Sequence, residues 1–280
     1  MIRIAVTGAT GFLGSSLVTK IRESKEDKVE VFDHKEHSLF DVKSLEPLLI
    51  GSDVIYHLAG INNSDDSNVF QVNVIGTANI LEAARLFAPK AHFIFSSSFA
   101  VYKVSMNKRI IKEDSILQPR NRYGFTKLLG EELIRFYSRV YGLKATILRI
   151  ANVYGLDSSR GNNLVISRLI KNVKKGGTIR ISGDGLQTRD FVFVDDVVNA
   201  LIRTQSIKDR FNILNICSGK EISIRKLAEL IAAKEGSDFN VEYAPSGETD
   251  GRWRGDNFLA KEKIGWQPVV DLDKGLDKIL

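Results

Sequence analysis

Ile2-Arg3-Ile4-Ala5-Val6-Thr7-Gly8-Ala9-Thr10-Gly11-Phe12-Leu13-Gly14 is the stretch on which the fold turns. Its first residues read as a short β-branched strand, and Gly8, Gly11 and Gly14 follow at once. An amphipathic pattern over Phe12–Glu23 comes next. A strand, a glycine-rich turn and a helix in that order form the first unit of a nucleotide-gripping fold. Gly permits the tight turn, lets backbone approach a pyrophosphate and allows close helix–strand packing, while the helix N-terminus faces the anion. The spacing is G-x-x-G-x-x-G, not the general G-x-G-x-x-G. Its place between the first strand and first helix gives it meaning. Asp33 follows roughly 20 residues beyond the last glycine, where an acid accepts bonds from adenosine ribose hydroxyls and repels a 2′-phosphate. That favours NAD, and Lys35 close by leaves NADP open.

Working outward, the alternation continues. Strand patterns at Val29–Asp33, Asp53–Leu58, His92–Ser96 and Ala145–Ile150 are separated by amphipathic stretches at Val42–Leu49, Val69–Phe87 and Tyr123–Tyr141. Strands joined by helix-length connections predict an α/β, doubly wound parallel sheet of Rossmann type with right-handed crossovers. After Ile150 the rhythm loosens, with a polar stretch from Gly155 to Asn163, strands around Ile179 and Phe191, a helix over Ser223–Lys234, and Trp266 near the end. The expected division is a nucleotide-binding domain over 1–155 plus part of 178–215, and a smaller C-terminal α/β substrate-binding region from 156–177 and 216–280.

Composition narrows the classes. A chain of 280 residues with 43% apolar content can bury a large core. One cysteine, Cys217, excludes a disulfide framework and fits a reducing compartment. The N-terminus enters a strand at once, with no basic n-region and no long apolar run, which argues against a signal peptide or membrane span. A cytoplasmic protein with no membrane partner is expected. The net charge of +6 comes from 40 Lys and Arg scattered among 34 acids, which favours an anionic small molecule over nucleic acid. The four histidines show no metal-ligand spacing, and no metal is expected. His57, at a strand end, reads as packing. Asp195 and Asp196, before an apolar helix pattern, read as helix-cap residues.

The chemistry sits in Ser96-Ser97-Ser98-Phe99-Ala100-Val101-Tyr102 and Tyr123-Gly124-Phe125-Thr126-Lys127. Tyr123 and Lys127, four apart, share a helix face. A nearby ammonium favours the ionised phenol, so a Tyr123 pKa below the ordinary 10 is expected. The phenolate can take a proton from a sugar hydroxyl as hydride leaves the carbon, and Ser98 can hold the same oxygen. A glycine loop followed by Ser…Tyr-x-x-x-Lys is what hydride transfer with a nicotinamide requires.

With these motifs the chain resembles the extended short-chain dehydrogenase/reductase family, in the nucleotide-sugar branch that includes UDP-glucose 4-epimerase. The likeness covers essentially the whole chain. It includes Phe40-Asp41-Val42, His57-Leu58-Ala59-Gly60, Asn73-Val74-Ile75-Gly76-Thr77, Leu148-Arg149-Ile150-Ala151-Asn152-Val153-Tyr154-Gly155, and the long run from Gly183 to Asp196. The resemblance implies that Phe12, Leu13, Asp41, Val42, Leu58, Ala59, Gly60, Asn73, Ser96 and Ile150 join the glycines, Asp33, Tyr123 and Lys127 around the cofactor. It implies that Ser98, Asn152, the Asn163-Leu164 backbone and Arg189 hold a nucleotide-diphosphate sugar, Arg189 through charge-assisted bonds. Without the family, Arg189 beside Asp190 reads equally as a surface ion pair. Relatives pair through helices like the one bearing Tyr123, so a homodimer is expected.

There are departures. The segment after Gly60 is shortened, Lys103 and Leu156 stand where Gly and Pro are usual, and Ser246 occupies the place of a second phosphate-gripping Arg, with Arg252 or Arg254 as substitutes. Sugar dehydratases and decarboxylases of the family carry an acid directly after the catalytic hydroxyl residue. Here Phe99 and Ala100 follow Ser98, so elimination is disfavoured. NAD-dependent epimerisation at C4 of a nucleotide sugar is expected. The alternatives are a 4-keto-sugar reductase and, in another class, a non-catalytic NAD(P)-sensing protein.

Overall fold

The computed structural model describes residues 1–24, 26–104, 110–156, 165–174, 178–236, 240–244 and 251–280. In chain order, β1 (Arg3–Thr7), α1 (Phe12–Ser24), β2 (Lys28–Val31), α2 (Glu46–Leu49), β3 (Val54–His57), α3 (Gly76–Phe87), β4 (His92–Ser98), α4 (Arg122–Tyr141) and β5 (Lys144–Ile150) build the first half. The second half holds β6 (Asn152–Tyr154), α5 (Val165–Lys174), β7 (Thr178–Ser182), β8 (Thr188–Arg189), β9 (Phe191–Phe193), α6 (Val194–Thr204) and β10 (Phe211–Ile216). It ends with β11 (Ile222–Ser223), α7 (Ile224–Glu235), β12 (Asn240–Ala244), α8 (Phe258–Ile264) and α9 (Leu272–Asp277).

Six strands form one sheet in the order β10-β5-β4-β3-β1-β2, every pair parallel. The winding reverses between β1 and β3, and the crevice beyond the strand ends at such a reversal is where ligands bind in open α/β sheets. Alternation with period 2 sorts the strand residues onto two faces. Ala5, Ile55, Phe93, Phe95, Ala145 and Ile147 face Leu48, Ile80, Leu81, Ala84 and Ile134 of α2, α3 and α4. Ile4, Val6, Tyr56, Ile94, Leu148 and Leu214 face Leu17, Ile21, Val197 and Leu201 of α1 and α6. Helices on both faces explain why these strands are apolar on both sides. The remaining strands pair in twos outside the sheet, β8 with β11, β7 with β12 and β6 with β9.

Three local outcomes differ from the sequence reading. The amphipathic stretch Val69–Phe87 is not one α-helix, because Gln71–Ile75 is a π-helical turn leading into α3. Asp195 and Asp196 do not cap α6. The N-cap is Phe193, with no side-chain cap, and the buried Asp196 carboxylate instead accepts from the backbone amides of Val269 (3.1 Å) and Val270 (3.0 Å), pinning the C-terminal tail. His57 is more than packing. It bridges Thr7 Oγ1 at 2.7 Å and Thr77 Oγ1 at 2.9 Å. Because Thr77 donates to Asn73 O at 2.6 Å, its oxygen must accept from His57 Nε2–H, leaving Nδ1 to accept from Thr7. Burial, then the Lys127 charge, drop the His57 pKa to about 3, so the ring is neutral, as this chain of bonds requires.

Candidate active site

The glycine loop closes on itself through Gly11 N donating to Gly8 O at 3.1 Å. Gly8 has φ +74°, and a Cβ on it would meet Ala59 N and Leu58 C at 2.6 Å. A Cβ on Gly14 would lie 2.0 Å from Gly8 O. These two positions therefore need glycine for the loop to sit tight against β3. A Cβ on Gly11 would have only Gly8 O nearby, at 3.3 Å, so its backbone is bare toward the cleft. No acidic residue stands in the first turn of α1, which leaves its free amides suited to an anion.

That loop forms one end of a cleft of about 840 Å³. Gly8, Gly11, Phe12, Leu13 and Gly14 line it together with Ser98, Tyr123, Lys127, Leu58, Gly60, Ser96, Ile150 and Asn152. Loop, bare backbone and a cleft of this size together fit a dinucleotide. Asp33, Asp41 and Val42 do not line this cleft. Asp33 follows β2, which pairs with β1 beside the loop, and its carboxylate accepts from Lys35 N at 2.9 Å. Ala59 N donates to Thr7 Oγ1 at 3.3 Å. Asn73 stands behind the wall on the π turn, where its amide accepts from Ile61 N (2.7 Å) and donates to Ile61 O and Thr126 Oγ1, both at 2.9 Å. Asn163 and Leu164 lie outside the described residues.

The helix that carries Tyr123 and Lys127 is positioned by its first turn. Asn121 caps α4, accepting from Gly124 N at 2.8 Å, a bond type worth about 1 kcal/mol. A Cβ on Gly124 would lie 2.3 Å from Ala100 O, so only glycine lets this turn press against the end of β4. That contact sets Tyr123 beside Ser98, whose hydroxyl bonds the phenol. Lys127, buried at 5% exposure, donates to Ser96 O at 2.8 Å and sits 4.7 Å over the Phe95 ring. A Cβ on Gly60 would stand 3.3 Å from Lys127 Nζ.

The electrostatics correct one expectation. The Tyr123 hydroxyl lies above, not below, the ordinary phenol value of 10, because burial outweighs the Ser98 hydrogen bond. Lys127 is lowered from 10.5 to about 8 by burial, with Glu131 pulling the other way. Glu131 lies one turn beyond Lys127 and is fully buried. It receives Arg149 Nη2 at 2.7 Å, Arg149 Nε at 3.0 Å and Ser97 Oγ at 2.5 Å.

A second cavity of about 250 Å³ adjoins the cleft. Ser98, Asn121, Tyr123, Ile150, Ala151 and Asn152 line both, so the Ser98–Tyr123 pair stands at the junction. Arg189 and Trp253 also line it. Arg189 is not ion-paired with Asp190. The Asp190 carboxylate accepts from Ser218 N and Oγ, both at 2.7 Å, from Gly219 N at 3.0 Å and from Gly255 N at 3.2 Å. Burial nonetheless raises its pKa to about 6. Arg189 donates to Thr188 O at 2.8 Å and lies 5.8 Å from the Trp253 ring. Among the described residues no carboxylate pairs with it, and burial lowers it to about 10. A desolvated guanidinium of this kind gains most from an anion. Arg252 is held by Glu221 through a forked ion pair, with Nε to Oε2 at 3.2 Å. Arg254 Nε donates to Gly219 O at 2.9 Å. Neither lines the cavity. The second guanidinium that does is Arg120, which carried no motif in the sequence. Trp253 was equally silent.

The model of the NAD dependent epimerase/dehydratase family matches residues 4–217. UDP-glucose 4-epimerase of Mycolicibacterium smegmatis is 32% identical over 304 residues, covering 99% of this chain and 97% of that one. The structure of UDP-glucose 4-epimerase from Thermotoga maritima with UDP-glucose superposes with TM-score 0.90 at 30% identity, covering 99% of this chain and 97% of that one. UDP-glucuronic acid 4-epimerase from Bacillus cereus, in complex with UDP-glucuronic acid and NAD, gives TM-score 0.86 at 26% identity with 99% and 97% covered. A matched core of this extent, on a sheet and cleft shaped for a dinucleotide, makes the chain an NAD-using enzyme that belongs to the NAD dependent epimerase/dehydratase family.

Proposed function

We propose that this enzyme interconverts the C4 epimers of a UDP-hexose through a 4-keto sugar. The observation that carries the reading is the junction: the Ser98–Tyr123 pair stands where the dinucleotide cleft and the second cavity meet. When bound, NAD supplies the acceptor and later the donor of the C4 hydride, and a positive charge beside Tyr123. Gly8, Gly11, Gly14 and the first turn of α1 would hold its pyrophosphate, with Asp33, Asp41 and Val42 toward the adenosine. Lys127, fixed by Ser96 O and facing Asn73 and Gly60, would hold the nicotinamide ribose. Tyr123 takes the C4 hydroxyl proton and returns it, and Ser98 donates to the same oxygen in both directions. Since burial favours the protonated phenol, the Lys127 ammonium is needed to stabilise the phenolate during transfer. Asn152 and Arg189 would take the diphosphate. Phe99 is buried and Ala100 has no ionisable group, so no acid stands next to Ser98 to drive elimination.

The helices α3 and α4 pack together and, with Ile75 of the π turn before α3, expose Leu86, Phe125, Phe136, Val140 and Tyr141, each at 43–51%. Phe125 and Phe136 are 11 apart, about three turns, so they share a face of α4. This apolar surface supports a homodimer built from the two helices of each copy, which light scattering after gel filtration would detect. No helix among the described residues is long and apolar enough to cross a membrane.

The deciding assay incubates the purified protein with UDP-, dTDP- and GDP-hexoses without added NADH and resolves the C4 epimers. Interconversion without net cofactor consumption is expected. NADH oxidation seen only with a 4-keto sugar would make the enzyme a reductase instead.

A further inference from the structure

We infer that Ser97, through its hydrogen bond to Glu131, is a positioning residue for the reaction. It fixes the end of β4 against α4, so that Ser98 and Tyr123 meet on one oxygen. The inference rests on the roles given to Ser98 and Tyr123 above and adds the contact that holds them in place.

Three consecutive residues at the end of β4 each bond to α4. Ser96 O accepts from Lys127 Nζ at 2.8 Å, Ser97 Oγ donates to Glu131 Oε1 at 2.5 Å, and the Ser98 hydroxyl bonds the Tyr123 phenol. The helix partners, at 123, 127 and 131, are four apart and share one face. The chemistry proposed above uses two of these bonds. The third joins two buried side chains, and Glu131 lines neither cavity.

Glu131 is built as an anchor. Its carboxylate also accepts from Arg149 Nη2 at 2.7 Å and Nε at 3.0 Å. Arg149 stands opposite Ser97 in the β4–β5 register, so one carboxylate ties α4 to both strands at the same level. Elsewhere the helix meets β4 through glycines. A Cβ on Gly130 would stand 3.0 Å from Phe95 Cζ, and one on Gly124 2.3 Å from Ala100 O. Contacts so bare permit a close approach but give α4 no side chain there to interlock with the strand. A hydrogen bond, being directional, fixes both distance and register.

The Ser98 hydroxyl needs that restraint. Its oxygen accepts from Ala100 N at 3.1 Å, which sets its direction locally and leaves the gap to Tyr123 to be set by the placement of α4. Ser98 is the last residue of β4, and Ser97 is one peptide away. Reacting groups must be held to within about 0.5 Å, and a misplacement of about 1 Å costs about 10²-fold in rate.

The test is a double-substitution cycle with Ser97→Ala and Ser98→Ala, read as C4-epimer formation from a UDP-hexose. Ser97→Ala removes one hydroxyl and leaves the Glu131 carboxylate on Arg149, so the protein should fold. It should lower kcat by about tenfold, leave KM and NAD affinity within about twofold, and be partly rescued by Ser97→Thr. In the Ser98→Ala background the same change should alter kcat by less than about twofold, because the group it positions is gone. A purely structural Ser97 would lower Tm and leave kcat intact, which would overturn the inference. So would an equal loss of kcat in both backgrounds. A readout free of turnover is NMR of tyrosine isotope-labelled at Cζ, with the Tyr123 signal identified by its loss in Tyr123→Phe. Ser98→Ala should move that signal, and Ser97→Ala should move it in the same direction; a signal unmoved by Ser97→Ala would again refute the clamp. The C4 reading fails separately. If the enzyme is a 4-keto-sugar reductase, the same cycle is read from NADH oxidation, and the NMR result stands whatever the reaction.

Discussion

Replacing Lys127 by Met should inactivate the enzyme and make it more stable. The amine is held at 5% exposure among Phe95, Gly60 and the Asn73 amide, and its pKa falls from 10.5 to about 8. At about 1.4 kcal/mol per tenfold change in proton affinity, keeping that ammonium charged below pH 8 costs the fold about 3 kcal/mol. Met is close in length and carries no charge, but it gives up the bond to Ser96 O at 2.8 Å, worth about 1 kcal/mol. The net gain at pH 7 is then about 1–2 kcal/mol, or about 2–8 °C in Tm at about 2–4 °C per kcal/mol.

The pH dependence gives the prediction its signature. Below pH 8 the amine is protonated in both folded and unfolded chains, and the full cost is present. Between about pH 8 and 10.5 the unfolded chain keeps the proton and the folded one does not, so wild-type stability rises with pH. The gap between variant and wild type should shrink by about 2 kcal/mol from pH 7 to 9.5. Groups facing Lys127 do not mask this. Glu131 on the same helix is held by Arg149, and His57 is already neutral. Urea melts at both pH values, on protein freed of nucleotide so that bound NAD does not bias the wild type, provide the assay. A variant less stable than wild type at pH 7, or a gap that does not close, would refute the reasoning that the site stores a desolvation cost in Lys127.

Tyr123→Phe should lower kcat by at least about 10²–10⁴-fold, the range for a lost acid–base group, while NADH fluorescence titration shows binding retained. Glu131→Gln should cost about 3–5 kcal/mol because it strands the Arg149 charge at 1% side-chain exposure. The double Glu131→Met, Arg149→Met variant should cost less than the single one, and urea melts of the three proteins check the order. Gly14→Ala should weaken NAD binding by about tenfold or more, because the new methyl would stand 2.0 Å from Gly8 O and push the loop out of shape.

What was legible in the sequence follows the range of each physical signal. The parallel sheet was readable because its strands other than the edge strand β2 are largely buried on both faces, and because the glycine loop, the serine run and the Tyr-x-x-x-Lys spacing are local. The π turn at Gln71–Ile75 was not, since one extra residue in a turn leaves the apolar period of Val69–Phe87 almost unchanged. Asn73 sits in that turn, and π turns often mark functional sites. The role of Asp196 was hidden because its partners, Val269 and Val270, lie more than seventy positions away. The Tyr123 pKa was misread for a related reason. Spacing reveals the cation one turn away but not the burial that outweighs it. Arg120 and Trp253 gave no signal at all, because each enters the cavity only through the fold.

The same long-range bonds explain how the two halves share one site. Glu131, on the helix that carries Tyr123, binds Arg149 of β5. Arg149 Nη1 donates to Tyr102 Oη at 3.0 Å, and Tyr102 donates to Asn215 Oδ1 of β10 at 2.6 Å. Asn215 N donates to Glu113 Oε1 at 2.8 Å and its Nδ2 to Ile111 O at 3.1 Å. Ile111 N in turn donates to Arg254 O at 2.8 Å, next to Trp253, which lines the second cavity. A hydrogen-bonded path, buried from Glu131 to Asn215, thus runs from the helix that carries Tyr123 to Arg254, the neighbour of Trp253. Buried polar networks are costly unless every member is satisfied, so cutting this one at Arg149 should disturb both ends together. That path ties the segment carrying Ser98, Tyr123 and Lys127 to the one carrying Trp253, so the two sides of the cavity are held in register by side-chain bonds as well as by the sheet.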